Sequence, residues 1–136
     1  MKEFLWPVRV YYEDTDSGGV VYYANYLKFM ERTRTEWLRS LGFEQDRMLQ
    51  QDGVIFAVSK VEVSYHRPAE FNDALEVSAQ IARRGRVSLT FYQEVRRPSD
   101  NALLVSGRIK VACVDASRMR PAPLPENLFK EIAGVG

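Results

Sequence analysis

Asp14 and Asp16 stand two residues apart in the run Glu13-Asp14-Thr15-Asp16-Ser17-Gly18-Gly19-Val20-Val21-Tyr22-Tyr23-Ala24-Asn25-Tyr26. A carboxylate can act on an activated carbonyl as nucleophile or as general base. Gly18 and Gly19 let a ligand approach the backbone where no Cβ obstructs it. Beyond them the pattern turns helical. A helix start offers unpaired N–H groups and a partial positive charge. A thioester or ester carbonyl placed there would be polarised and its oxyanion stabilised. These are the parts of a minimal acyl-transfer site. Spacing alone favours something plainer, a polar loop with Asx-turn hydrogen bonds.

Other chemistries are poorly served. Asp14 to Gly19 imitates the start of a calcium loop, but the twelfth position is Asn25 where a bidentate Glu is needed. No further carboxylates complete a magnesium site, so no metal is expected. Ser17 lacks the Gly-x-Ser-x-Gly context, and His66 is the only histidine, so no Ser-His-Asp triad is available. His66, in Tyr65-His66-Arg67-Pro68, reads as a strand-end residue. Cys113 reads as a buried small hydrophobe. Glu31 on the helix is a second-choice acid or base, or else a solvated partner of Lys28 or Arg34. Arg83, Arg84 and Arg86 flank Gly85 at a turn. They form either a solvated cluster or a bidentate phosphate grip, and Arg118 and Arg120 could serve likewise.

The elements that must position these residues follow from periodicity. Val8, Val10 and Tyr12 alternate as a strand, with Pro7 near its start. Tyr26, Met30, Thr33, Trp37 and Leu41 fall at helical spacing, with Leu27, Arg34 and Leu38 on the adjacent stripe. Gly42 is placed to stop that helix. Glu44 to Gln51 is weakly helical. Phe56 to Tyr65 is extended, and a parity shift near Ser59-Lys60 predicts a bulge. Leu75 to Ile81, Val87 to Val95 and Leu103 to Cys113 alternate as a three-stranded antiparallel meander, with turns at Arg84-Gly85 and Pro98 to Asn101. Pro121, Pro123 and Pro125 end regular structure, and Pro125 can open a short terminal helix.

The order is strand, long helix, four strands. That excludes a doubly wound parallel sheet and predicts an α+β domain in which one long helix covers a five-stranded antiparallel sheet. At 136 residues the chain suits one domain, 1–136. One helix cannot cover the whole sheet, so a homo-oligomer is expected. The net charge of +1 argues against a general nucleic-acid or membrane footprint. A lone cysteine, no visible signal peptide and no run of transmembrane length read as cytoplasmic.

The segment Val8 to Asp16, with Gly18-Gly19-Val20-Val21-Tyr22 and Asn25-Tyr26, resembles the hotdog-fold acyl-CoA thioesterases. The 4-hydroxybenzoyl-CoA thioesterase-like, Tol–Pal-associated YbgC type is the branch it fits. Glu31-Arg32-Thr33-Arg34-Thr35-Glu36 and Tyr65-His66-Arg67-Pro68-Ala69 fit that branch too. The resemblance implies a long helix wrapped by an antiparallel sheet, and dimers of dimers with active sites at subunit interfaces. It implies that Asp16 is the catalytic carboxylate and that the Tyr23 backbone N–H polarises the carbonyl. Gly18, Gly19, Val20, Val21 and Tyr22 would line the substrate, and basic residues, among them Arg83, Arg84 and Arg86, would meet the coenzyme A phosphates. Coenzyme A enters as part of the substrate, with no separate cofactor, and an acyl carrier protein is a candidate partner. Many relatives carry His where this chain has Tyr23, so any side-chain role of that histidine is lost. The alternative is a weakly catalytic or non-catalytic binding module for acyl-CoA or acyl carrier protein in membrane biogenesis. Dehydration of 3-hydroxyacyl groups on the same fold is disfavoured, because it needs a His-centred pair.

Overall fold

A computed structural model describes residues 3–132. In chain order its elements are β1 (Phe4–Arg9), α1 (Asn25–Ser40), α2 (Gln45–Asp52), β2 (Val54–Tyr65), β3 (Ala74–Arg84), β4 (Ser88–Arg97), β5 (Ala102–Asp115), β6 (Arg120–Pro121) and α3 (Glu126–Glu131). The strands form an antiparallel sheet in the order β1-β3-β4-β5-β2, with β6 on β5. The α+β class and the meander of β3, β4 and β5 match the periodicity.

Several details differ from the sequence expectation. The sheet has a sixth strand, because Arg120 and Pro121 pair with Asp115 and Val114 before the prolines end the pattern. Helices α2 and α3 accompany the long one, and these two do follow the sequence, at the weakly helical Glu44 to Gln51 and after Pro125. The first strand ends at Arg9, short of Val10 and Tyr12, because Tyr12–Asp14 winds into one turn of 3-10 helix. Val10 still pairs through its backbone with Asp73 and Asn72 at 3.0 Å each. The bulge in β2 lies between Val58 and Lys60. A second irregularity, at Val95/Arg96 between β4 and β5, shifts the parity at the start of β5. Leu104 is therefore fully buried where Leu103 is only half-buried.

Helix α1 buries Tyr26, Phe29, Met30, Thr33, Trp37 and Leu38 against the sheet, chiefly β3 and β1. Trp37 meets Phe91 of β4 edge-on at 5.2 Å. Gly42, at φ +91°, takes the left-handed conformation that closes the helix. Gln93 sits among the apolar positions of β4 and is fully buried. It is satisfied there: its amide donates to Met30 O and Ser78 O, both at 3.1 Å, and its oxygen accepts from Arg34. Helix and sheet are thus stitched by one polar side chain as well as by apolar packing. Among the described residues no helix is long and apolar enough to cross a membrane.

Candidate active site

The two carboxylates of the loop are in opposite environments. Asp14 is buried, 5% exposed. Its Oδ2 accepts from the Tyr11 N–H at 2.8 Å and its Oδ1 from the Asn25 amide at 2.7 Å. Asn25 is the first residue of α1, so Asp14 ties the loop to the helix start. Asp16 is exposed. Its Oδ1 accepts from the Gly18 N–H at 2.8 Å, the Asx turn that the plainer reading expects. Its Oδ2 has no hydrogen-bond partner among the described residues.

Backbone pairing folds the loop into a small hairpin. Thr15 bridges Val21, and the Asp16 N–H donates to Val20 O at 2.9 Å. Gly19, at φ +81°, makes the tip, where an L side chain would be strained. The outer arm is pinned by Val21 N–H to Ala69 O at 2.8 Å and by a bridge from Val20 to Glu70. The hairpin delivers the chain directly into α1. The Tyr22 N–H goes to Asp14 O at 2.9 Å and the Asn25 N–H to Tyr22 O at 2.8 Å. The N–H of Tyr23 donates to no group among the described residues. The first turn of α1 holds no acidic residue, and Ala24 at its N-cap provides no side-chain cap. The only carboxylate bonded at this helix start among the described residues is Asp14, through the Asn25 side chain, and the Tyr23 N–H is left free for an approaching oxyanion.

A cavity of about 270 Å³ opens beside this helix start, lined by Tyr23, Tyr26, Tyr65, His66 and Pro68 among others. The Tyr65 hydroxyl donates to Tyr23 O at 3.1 Å, and the Tyr23 and Tyr65 rings meet edge-on at 6.2 Å. His66 Nε2 lies 2.9 Å from Ser106 Oγ. Spacing did not bring Tyr65 and His66 to the site, because some forty residues and two helices separate them from Tyr23. The Tyr65-His66-Arg67-Pro68 run was the signal available.

The remaining candidates are scattered. Glu31 is exposed and borders a different cavity, with Arg34. Arg83 and Arg86 are exposed, whereas Arg84 turns inward. Its Nη1 donates to Phe129 O at 3.0 Å, and its guanidinium lies 3.9 Å from the Phe129 ring centroid, holding α3 on the sheet. Arg118 and Arg120 are exposed around β6. Cys113 is fully buried, and burial, with Asp52 nearby, pushes its thiol up to about 11.

Similarity to known proteins identifies the family. Residues 10–132 match the family model described as Thioesterase-like superfamily. The chain is 45% identical over 128 residues to the acyl-CoA thioester hydrolase YbgC of Escherichia coli O6:H1, covering 94% of each chain. It is 42% identical over 126 residues to the acyl-CoA thioesterase YbgC of Haemophilus influenzae, covering 92% of this chain and 90% of that one. The crystal structure of a probable thioesterase from Bartonella henselae superposes with a TM-score of 0.86 at 31% identity, over 91% of this chain and all of that one. With the carboxylate loop, the open helix start and these likenesses together, the chain belongs to the thioesterase-like superfamily, in its hotdog-fold YbgC branch.

Proposed function

We propose that this protein hydrolyses acyl-CoA thioesters to the free acid and coenzyme A. Asp16 is the acting carboxylate, and the Tyr23 N–H at the start of α1 polarises the thioester carbonyl. The observation that carries this reading is the split between the two aspartates. Asp14 has both oxygens engaged and holds the loop on the helix, while Asp16 has an oxygen free, in a hairpin that leads straight into the helix start. A thioester has a good leaving group, so one carboxylate and one oxyanion-stabilising donor suffice. As general base, Asp16 takes a proton from water as the hydroxyl adds to the carbonyl carbon. As nucleophile, it forms a mixed anhydride that water then opens. In both routes the C–S bond breaks and coenzyme A leaves as the thiolate.

Gly18, Gly19, Val20, Val21 and Tyr22 border the acyl group in this reading. Arg83 and Arg86 remain available to the coenzyme A phosphates, while Arg84 is committed to α3. The working unit is a homo-oligomer, a dimer of dimers. Support comes from β2, which lies at one edge of the sheet and exposes Val58, Val61 and Tyr65. An acyl carrier protein is an alternative bearer of the thioester, and the setting is cytoplasmic.

The test is thiol release from a panel of acyl-CoAs of graded length, with an aromatic member, read as kcat/KM. Hydrolysis of at least one member well above the no-enzyme rate supports the reading. Saturable binding with no thiol released would instead make the protein an acyl-thioester binding module.

A further inference from the structure

Away from the aspartate loop, the cavity of about 230 Å³ between α1, α2 and the sheet holds a positive charge with no partner of its own. Leu38 from α1, Phe56 from β2, Leu89 and Phe91 from β4 and Val111 from β5 make its apolar side, and Glu31, Thr35 and Gln45 make its polar side. Arg34 projects into it from α1. One guanidinium nitrogen, Nη1, donates to Gln93 Oε1 at 3.0 Å, and the group lies 5.9 Å from the Phe91 ring centroid. Gln93 cannot swing away, because its amide nitrogen is fixed by Met30 O and Ser78 O. Nε and Nη2 of Arg34 have no acceptor among the described residues. No carboxylate among them forms an ion pair with the guanidinium; Glu31, three residues earlier on α1 and also in the cavity lining, acts on it only through its charge. Burial pushes the guanidinium down to about 10, and the more distant charge of Glu31 offsets only part of this.

A half-buried arginine is more favourable when paired with a carboxylate, and the free nitrogens of Arg34 remain open to one. The free donors form a fork that matches a carboxylate bidentately. At on the order of 30 Å³ per heavy atom the cavity takes about eight heavy atoms, most of an octanoate. We infer that this cavity is a binding site for a carboxylate carried on an apolar body, with Arg34 taking the carboxylate and Phe56, Leu89 and Val111 taking the chain. That carboxylate belongs either to a free medium-chain acid or, resting on the proposed hydrolase activity, to the far end of a dicarboxylic acyl group.

Isothermal titration with octanoate and with octanol tests the site without any turnover. Octanoate should bind at least about tenfold more tightly than octanol, since the charge-assisted bonds are open only to the acid. Arg34→Gln, which retains a donor for Gln93, should abolish that preference, and Arg34→Lys should keep part of it. Val58 borders the same cavity and also lies on the exposed β2 edge, so Val58→Phe should block octanoate with the far-UV spectrum and the light-scattering mass unchanged. Equal binding of acid and alcohol by the unaltered protein would overturn the inference, as would undiminished octanoate binding by both Arg34→Gln and Val58→Phe. The two sources are separated by comparing hydrolysis of the CoA thioesters of octanoic and suberic acids. A preference for the suberyl ester that disappears in Arg34→Gln assigns the site to the acyl terminus. Octanoate binding without that preference assigns it to the free acid. Absence of thioester hydrolysis alongside octanoate binding would remove the proposed activity and leave the site standing.

Discussion

At Asp14 both carboxylate oxygens are spent inside the protein, on the Tyr11 N–H and the Asn25 amide. Asp14→Ala leaves these two donors without partners in a buried place. It should cost about 2–3 kcal/mol of stability, measured by urea unfolding, and should lower activity only through loss of the loop. Residue spacing showed that a carboxylate loop preceded a helix but could not show which carboxylate faced solvent. That depended on the 3-10 turn at Tyr12–Asp14, which rotates Asp14 inward and which period-two alternation does not foresee. Cys113 makes a second residue-scale prediction. Its thiol titrates near 11 in the folded chain, above its ordinary range. The unfolded chain therefore loses this proton first as pH rises. The thiol's contribution to stability is complete below about pH 8.5, and it is lost as pH rises through about 11. A thiol reagent should label the native protein at pH 8 far more slowly than the urea-unfolded protein, and Cys113→Ala should flatten the alkaline fall in stability.

At the scale of elements, β2 is held to the sheet through its pairing with β5, and that pairing is close. A Cβ at Gly107 would come within 2.9 Å of Val63 Cγ2 and 3.0 Å of the backbone oxygen of Glu62. Gly107→Ala must push the two strands apart. It should destabilise the protein by about 1–3 kcal/mol, and amide hydrogen exchange should rise in Val61 to Tyr65 more than in β3 or β4. The long elements were legible because their patterns are long: sixteen residues of α1 at helical spacing, and the alternation of β3 and β4. Parity at Ser59-Lys60 also located the bulge. The two-residue β6 has no periodicity to read, and its pairing depends on the turn after Asp115 returning the chain to the sheet. β1 stops before its alternation does, because Val8, Val10 and Tyr12 keep alternating past the point where Asp14 captures the Tyr11 N–H.

For the whole molecule, both sheet edges bear exposed apolar side chains. β2 shows Val58, Val61 and Tyr65, and β1 shows Leu5 and Trp6. Unpaired edge strands of this kind seek partners. Light scattering at micromolar concentration should therefore give a dimer or tetramer, and Val61→Lys should shift the mass toward the monomer while the far-UV spectrum is unchanged. A strict monomer for the unaltered chain would contradict an interfacial site. The family likeness bears on the molecule as a whole, whereas the chemistry comes down to one exposed side chain. The most direct measurement is kcat/KM of Asp16→Asn on the best acyl-CoA substrate, with its melting temperature matched to the unaltered protein. The exposed position of Asp16 makes such a match attainable. A fall of about 100-fold or more, typical of losing a positioned acid–base group, is the predicted result. An unchanged kcat/KM in the folded variant would contradict Asp16 as the acting carboxylate.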